Sequence, residues 1–115
     1  MIKMPKGLLP SMHEKNRYIA FEVISKSKIT REKIIRAVWN SALDFLGESK
    51  AGKTGLWLMD WDEKSKIGIL KTNHRSVNDV RASLALIDRI EQNPVICRVL
   101  GVSGTLKRIR ARYMD

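Results

Sequence analysis

Eight residues near the middle of the chain, Gly47, Glu48, Ser49, Lys50, Ala51, Gly52, Lys53 and Thr54, satisfy the pattern G-x-x-x-x-G-K-[ST] that cradles nucleotide phosphates. That chemistry needs a strand entering the loop and a helix leaving it, so that the helix N-terminus and its free N–H groups face the anion. Here the order is reversed. A helical repeat leads into Gly47 and turns its negative C-terminal end to the loop, while the apolar, Trp-containing run after Thr54 reads as a strand. A flexible helix-to-strand loop is expected, with a P-loop nucleotidase as the lesser alternative.

Other residues with chemical potential are equally scattered. Asp60, Asp62 and Glu63 could hold magnesium, but no carboxylate from another element is placed to converge on them, and a solvated hairpin turn accounts for them. Cys97 alternates with Val95 and Val99, as a small buried hydrophobe does, and Arg98 points to the opposite face of the strand. His13 and His74 have no second ligand at a metal-binding spacing and read as polar surface residues. No catalytic residue and no metal-ligand set is assigned.

Charge is more informative. The 115 residues carry 22 Lys and Arg against 12 Asp and Glu, a formal net charge of +10. Residues 1 to 36 hold nine basic against three acidic side chains, 37 to 97 eight against eight, and 98 to 115 five against one. A neutral middle with basic ends suits a polyanion, whether RNA, DNA or an anionic membrane surface, because clustered cations release condensed counterions on meeting phosphates. An apolar content of 43% and a length of one domain allow a real core. No apolar stretch approaches the roughly 20 residues needed to span a bilayer. The start, MIKMPKGLLP, lacks the features of a secretory signal, and a lone cysteine fits a reducing cytosol, so a cytoplasmic protein is expected.

The elements that must position these residues follow from pattern. Arg17 to Ser25 alternates as a strand, with Ile19, Phe21 and Val23 on one face and Tyr18, Ala20, Glu22 and Ile24 on the other. Thr30 caps a helix stapled by Ile29 and Ile34 and closed by Gly47. Gly55 to Trp61 and Ile67 to Thr72 form a hairpin around Asp62 to Lys66. A second helix, capped by Asn73 or Asn78, carries Val80, Leu84, Ile87 and Ile90 on one stripe to about Glu91, where Asn93 and Pro94 end it. Val95 to Val102 forms a fourth strand, and Ser103 or Thr105 caps a basic helix running to Met114.

The order βαββαβ plus a tail helix is the α/β, ferredoxin-type sandwich used by RNA-recognition domains: a four-stranded antiparallel sheet with two helices on one face. Residues 1–12 read as an N-terminal extension and 13–115 as the single domain. The third strand lacks the aromatic residues on which such domains stack bases. Trp57, Met59 and Trp61 are expected on one face of the second strand, and Tyr18, Ala20 and Ile24 make the second face of the first strand apolar. The tail helix, a second copy or another protein must cover that face. In the tail helix Lys107, Arg108, Arg110 and Arg112 flank a stripe of Leu106, Ile109 and Tyr113.

Two segments carry a resemblance. Leu9 to Ile24, LPSMHEKNRYIAFEVI, looks like the opening signature of the archaeal ribonuclease P protein component 2 family, and Val102 to Tyr113, VSGTLKRIRARY, is similar to its closing one. His13 departs from the pattern, standing where a permanently basic residue is expected. The resemblance implies an RNA-recognition-like protein subunit of the enzyme that removes the 5′ leader from precursor tRNA, with the RNA and Mg2+ doing the chemistry and no cofactor bound by the protein. It implies ribonuclease P RNA and ribonuclease P protein component 3 as partners, two copies of each protein, precursor tRNA as the substrate of the whole particle, and no membrane. Lys15, Arg17, Arg75, Lys107, Arg108, Arg110 and Arg112 are the expected RNA-binding residues, and Tyr18, Ala20, Ile24, Trp57, Met59 and Trp61 the expected protein-partner face. A ribosomal or other ribonucleoprotein scaffold protein is the alternative of the same architecture.

Overall fold

Strand β1 (Asn16–Ile24) is built from residues that suit a pleated, half-buried surface. Ile19, Phe21 and Val23 enter one apolar cluster, while Ala20 and Tyr18 enter another on the opposite side of the sheet. The computed structural model describes residues 15–114, so the expected extension 1–12 and His13 lie outside the described residues.

Helix α1 (Arg31–Leu46) begins where the Lys33 N–H donates to the Thr30 hydroxyl oxygen at 3.3 Å. It ends at Gly47, whose φ of 82° lets its N–H donate to the Leu43 carbonyl at 2.9 Å. Ile29 and Ile34, the staple pair, are both buried. In place of the expected flexible loop, a second short helix follows, α2 (Glu48–Gly52). Local bonds hold it: the Ala51 N–H donates to the Gly47 carbonyl at 2.9 Å, and the buried Thr54 hydroxyl donates to the Ala51 carbonyl at 2.8 Å.

Strands β2 (Trp57–Asp62) and β3 (Ile67–Asn73) form the expected hairpin. After a 3-10 turn, His74–Ser76, comes α3 (Val77–Ala85), which stops well short of Glu91. The chain instead makes a small hairpin, β4 (Arg89–Ile90) with β5 (Asn93–Pro94). Glu91 and Gln92 supply its turn with φ of 49° and 72°, left-handed values that end any helix. Ile87 and Ile90 are nonetheless buried in the core, so their spacing signalled burial rather than helix. The chain finishes with β6 (Ile96–Ser103) and α4 (Leu106–Tyr113), the latter capped by Thr105, whose hydroxyl oxygen accepts from the Arg108 N–H at 3.3 Å.

The four long strands form an antiparallel sheet in the order β2-β3-β1-β6, the ferredoxin-type arrangement. Helices α1 and α3 cover one face over Phe21, Ile34, Leu70 and Leu84. Phe21 and Trp61 stack there with ring centroids 6.0 Å apart, and Gly68 makes room for them: a Cβ at that position would lie 2.7 to 2.9 Å from ring atoms.

The second face is covered by α4. Ala20, Ile69 and Ile109 are buried there, with Tyr18, Met59, Leu106 and Tyr113 packed around them. This corrects the expected partner face. A bulge between Leu58 and Asp60 breaks the alternation of β2, so Trp57, Met59 and Trp61 do not share a side. Trp61 turns into the α1 and α3 core and its indole N–H donates to the Ile29 carbonyl at 3.0 Å, whereas Met59 packs under α4. Ala20 is fully buried; of the six residues, Ile24 at 49% and Trp57 at 65% relative accessibility stay exposed. The physical reason is the apolar stripe of α4, which a two-residue link from β6 lays directly across the sheet.

Candidate nucleic-acid interface

Antiparallel register brings the start of β1, the end of β3, the end of β6 and the start of β2 to one end of the sheet. Asn16 stands opposite Asn73, Tyr18 opposite Ser103, and Trp57 opposite Lys71. Hydrogen bonds fasten the connecting segments to this end. The His74 N–H donates to the Lys15 carbonyl at 2.8 Å, and the Asn73 N–H to the Thr54 carbonyl at 2.9 Å. The Asn73 side-chain amide donates to the Lys53 carbonyl, and the Thr72 hydroxyl to the Thr54 carbonyl, both at 2.7 Å. The result gathers Lys15, Arg17, Lys53, Lys71, His74 and Arg75, with Lys107 and Arg108 joining from the first turn of α4. Lys15, Lys53, His74, Arg75, Lys107 and Arg108 are exposed.

Of the seven cations expected to touch RNA, six keep their guanidinium or ammonium groups outside the recorded side-chain ion pairs of the described residues. Arg110 is the exception. Its Nε donates to Asp60 Oδ2 at 2.6 Å and its Nη2 to Asp60 Oδ1 at 3.0 Å, a two-pronged clamp that fastens α4 to β2. The carboxylate also raises the guanidinium pKa above its ordinary value, chiefly by accepting this hydrogen bond. On the opposite flank of α4 the Tyr113 hydroxyl donates to the Leu100 carbonyl at 2.9 Å, and Gly101 lies so close beneath the phenol that a Cβ there would collide with it. Arg108 and Arg112 face a cleft on this flank, against the end of β6.

The other chemical candidates are accounted for locally. The P-loop string has α1 entering it and β2 leaving it, its Lys50 pairs with Asp79 at 3.4 Å, and its Thr54 hydroxyl is bonded to Ala51. The three carboxylates diverge: Asp60 holds Arg110, Asp62 accepts from the Lys64 N–H at 3.0 Å, and Glu63 faces Lys28. The bond from Lys64 is the main reason the Asp62 carboxyl lies below its usual pKa. Cys97 is buried, and burial pushes its thiol up to about 12, which leaves it protonated and a poor nucleophile near neutrality. Among the described residues no three His, Cys, Asp or Glu side chains cluster as metal ligands, and no helix is long and apolar enough to cross a membrane.

Sequence reasoning missed Lys53 and Lys71. The signal for Lys71 was the alternation of β3, which puts it on the same face as Ile69; Lys53 could be placed only through its fastening to Asn73.

The family model described as Rpp14/Pop5 matches residues 17–114, which takes in the sheet, α1 and α3 on one face and α4 on the other. The chain belongs to the Rpp14/Pop5 family. This Rpp14/Pop5 chain is 41% identical over 115 residues to ribonuclease P protein component 2 of Pyrococcus furiosus, a comparison that spans 100% of the chain and 96% of the relative. Against the protein of the same name from Thermococcus kodakarensis it is 38% identical over 114 residues, covering 99% and 95%, and against that from Methanococcus vannielii 34% over 111 residues, covering 96% and 84%. A chain in a cryo-EM structure of yeast ribonuclease MRP shares the Rpp14/Pop5 chain's fold, with a TM-score of 0.68 at 12% identity over 90% of this chain and 94% of that one.

Proposed function

We propose that this chain is a protein subunit of ribonuclease P, the ribonucleoprotein that removes the 5′ leader from precursor tRNA, and that it is a non-catalytic one. The observation that carries the reading is a family match over residues 17–114 in which the basic residues at one end of the sheet and along α4 are held in place by the fold. Phosphodiester hydrolysis is the work of the RNA and its magnesium ions. The protein's part is electrostatic: fixed cations offset the repulsion between phosphates that a folded RNA packs closely, a task otherwise left to diffuse magnesium. Lys15, Arg17, Lys53, Lys71, Arg75, Lys107, Arg108 and Arg112 supply them. Arg110 acts by holding α4 down.

Within this reading the partners are ribonuclease P RNA and ribonuclease P protein component 3, with two copies of each protein in the particle and precursor tRNA as its substrate. Of the six residues expected to meet a protein neighbour, Ile24 and Trp57 keep the exposure such a contact needs. The test is reconstitution. The purified chain alone should leave precursor tRNA intact in magnesium, and adding it to the RNA and companion proteins should restore leader removal at magnesium levels where the RNA alone is slow. Cleavage by the chain alone, or particles equally active without it, contradicts the proposal.

A further inference from the structure

Between the end of β6 and α4 runs an open cleft of about 460 Å³, lined by Leu100 to Gly104 on the strand side and by Arg108, Arg112 and Tyr113 on the helix side. We propose that this cleft seats a single-stranded stretch of RNA backbone, with Arg108 and Arg112 each taking one of two successive phosphates. The proposal rests on the ribonuclease P reading and adds to it where, and in what form, the RNA is held.

Several features of the cleft point this way. Arg108 and Arg112 are four residues apart on one helix and therefore stand on the same flank, about 6 Å from root to root. A guanidinium offers two parallel donors to a phosphate, so a pair at this spacing matches a chain of anions better than one compact ion. Among the described residues, those lining the cleft carry no carboxylate.

The opposite wall favours close approach of a backbone. Gly104 leaves open space where a side chain would stand, and the guanidinium of Arg17 lies about that space, 4.0 Å from the position of a Cβ, adding a third cation at the cleft's end. β6 is an edge strand paired only with β1, so the N–H groups on its other edge have no strand partner and can donate to phosphate oxygens. The bulge at Leu100, where β1 pairing skips from Gly101 to Val99, turns the Leu100 carbonyl to the Tyr113 hydroxyl instead.

The cations are also pre-oriented. Tyr113 is pinned by its hydroxyl, and its ring supports Arg112, whose guanidinium carbon sits 5.7 Å from the ring centroid. The Asp60 clamp on Arg110 prevents α4 from rolling, so the flank bearing Arg108 and Arg112 keeps facing the cleft. Holding donors in place before binding lowers the entropy lost on association.

Size and polarity set the form of the ligand. The volume matches about one or two nucleotides of a single strand, which can enter the cleft more deeply than a paired strand held in a duplex. The Ser103 hydroxyl oxygen already accepts from the Thr105 N–H at 3.2 Å, and the rest of the lining is backbone, apolar side chain or guanidinium. Binding is therefore tolerant of base sequence.

The test uses the full chain and three fluorescent probes: an eight-nucleotide single-stranded RNA, a blunt RNA duplex of the same length, and an acidic peptide of equal charge. Arg108→Gln/Arg112→Gln is compared with Lys26→Gln/Lys64→Gln, a pair of exposed lysines away from the cleft that removes the same charge. The cleft variant should keep the wild-type melting temperature, lose about tenfold or more in single-strand affinity, and flatten the slope of log affinity against log salt by about 1.4, two phosphates' worth. The lysine pair should change both far less. Equal losses in the two variants, or tighter binding of the duplex or the peptide than of the single strand, overturn the proposal. If wild-type chain stimulates precursor cleavage in the particle and the cleft variant stimulates it equally, the cleft assignment fails while the ribonuclease P reading stands.

Discussion

The two faces of the sheet are held by different means. Under α1 and α3 lies a continuous apolar cluster of more than a dozen buried side chains, among them Phe21, Ile34, Leu70 and Leu84. Between α4 and the sheet only Ala20, Ile69 and Ile109 are fully enclosed among the described residues, and the helix relies as well on the Asp60 clamp and the Tyr113 hydroxyl. The first face defines the fold, because burial of apolar surface is the dominant favourable term in folding. The second uses a modest core to aim a helix that carries four cations in six residues. On the proposed function, a structural layer and a working layer share one sheet.

Breaking the first layer should cost most. Phe21→Ala removes the partner of Trp61 and empties the space around Gly68, and should destabilise the whole domain by about 3–5 kcal/mol in urea unfolding. Ile109→Ala should cost about 2 kcal/mol or somewhat more. Its signature is local: hydrogen exchange should quicken in α4 while α1 stays protected, whereas Phe21→Ala should loosen both. Thr105→Ala removes the α4 cap and should cost about 1 kcal/mol, visible as fraying of Leu106 to Arg108.

Asp60→Asn should barely move the melting temperature, since the clamp is partly exposed, yet it should weaken RNA binding by freeing α4 to roll. Near neutral pH the smallest effect is on Cys97. Its folded pKa of about 12 exceeds the ordinary 9.0, so stability should be flat below pH 9 and fall as pH rises from there toward 12, because the unfolded thiol ionises first. Native-state alkylation near neutrality should be correspondingly slow; rapid labelling of the folded chain contradicts the buried placement.

Much of the first layer was legible in the sequence because local signals and burial agree there. The alternation of β1, the Thr30 cap, the Ile29 and Ile34 staple and the Gly47 stop each name a physical requirement that the fold meets. Where one signal had two causes, the reading failed. The spacing of Leu84, Ile87 and Ile90 continues a helical period, yet Glu91 and Gln92 adopt left-handed backbone and the last two isoleucines reach the core from a hairpin. The extra residue in β2 reversed the side on which Trp61 falls, and no local pattern announces a bulge.

The working layer was half legible. The apolar stripe of Leu106, Ile109 and Tyr113 was visible, as was the need for some cover on the second face, but the tail helix was one of three candidates for it. Nothing in the order of residues pairs Asp60 with Arg110, fifty positions away; that contact exists only once α4 lies across β2. The same packing sorts one run of cations into a latch, Arg110, and two cleft-facing arginines.

Whether α4 serves the RNA is tested most directly by a magnesium titration of precursor cleavage in the reconstituted particle, comparing the native chain with one in which Lys107, Arg108 and Arg112 are all replaced by Gln. The account predicts that the variant folds normally and needs more magnesium to reach half its maximal rate, with the deficit closing at saturating metal. A magnesium curve that superimposes on the native one contradicts it.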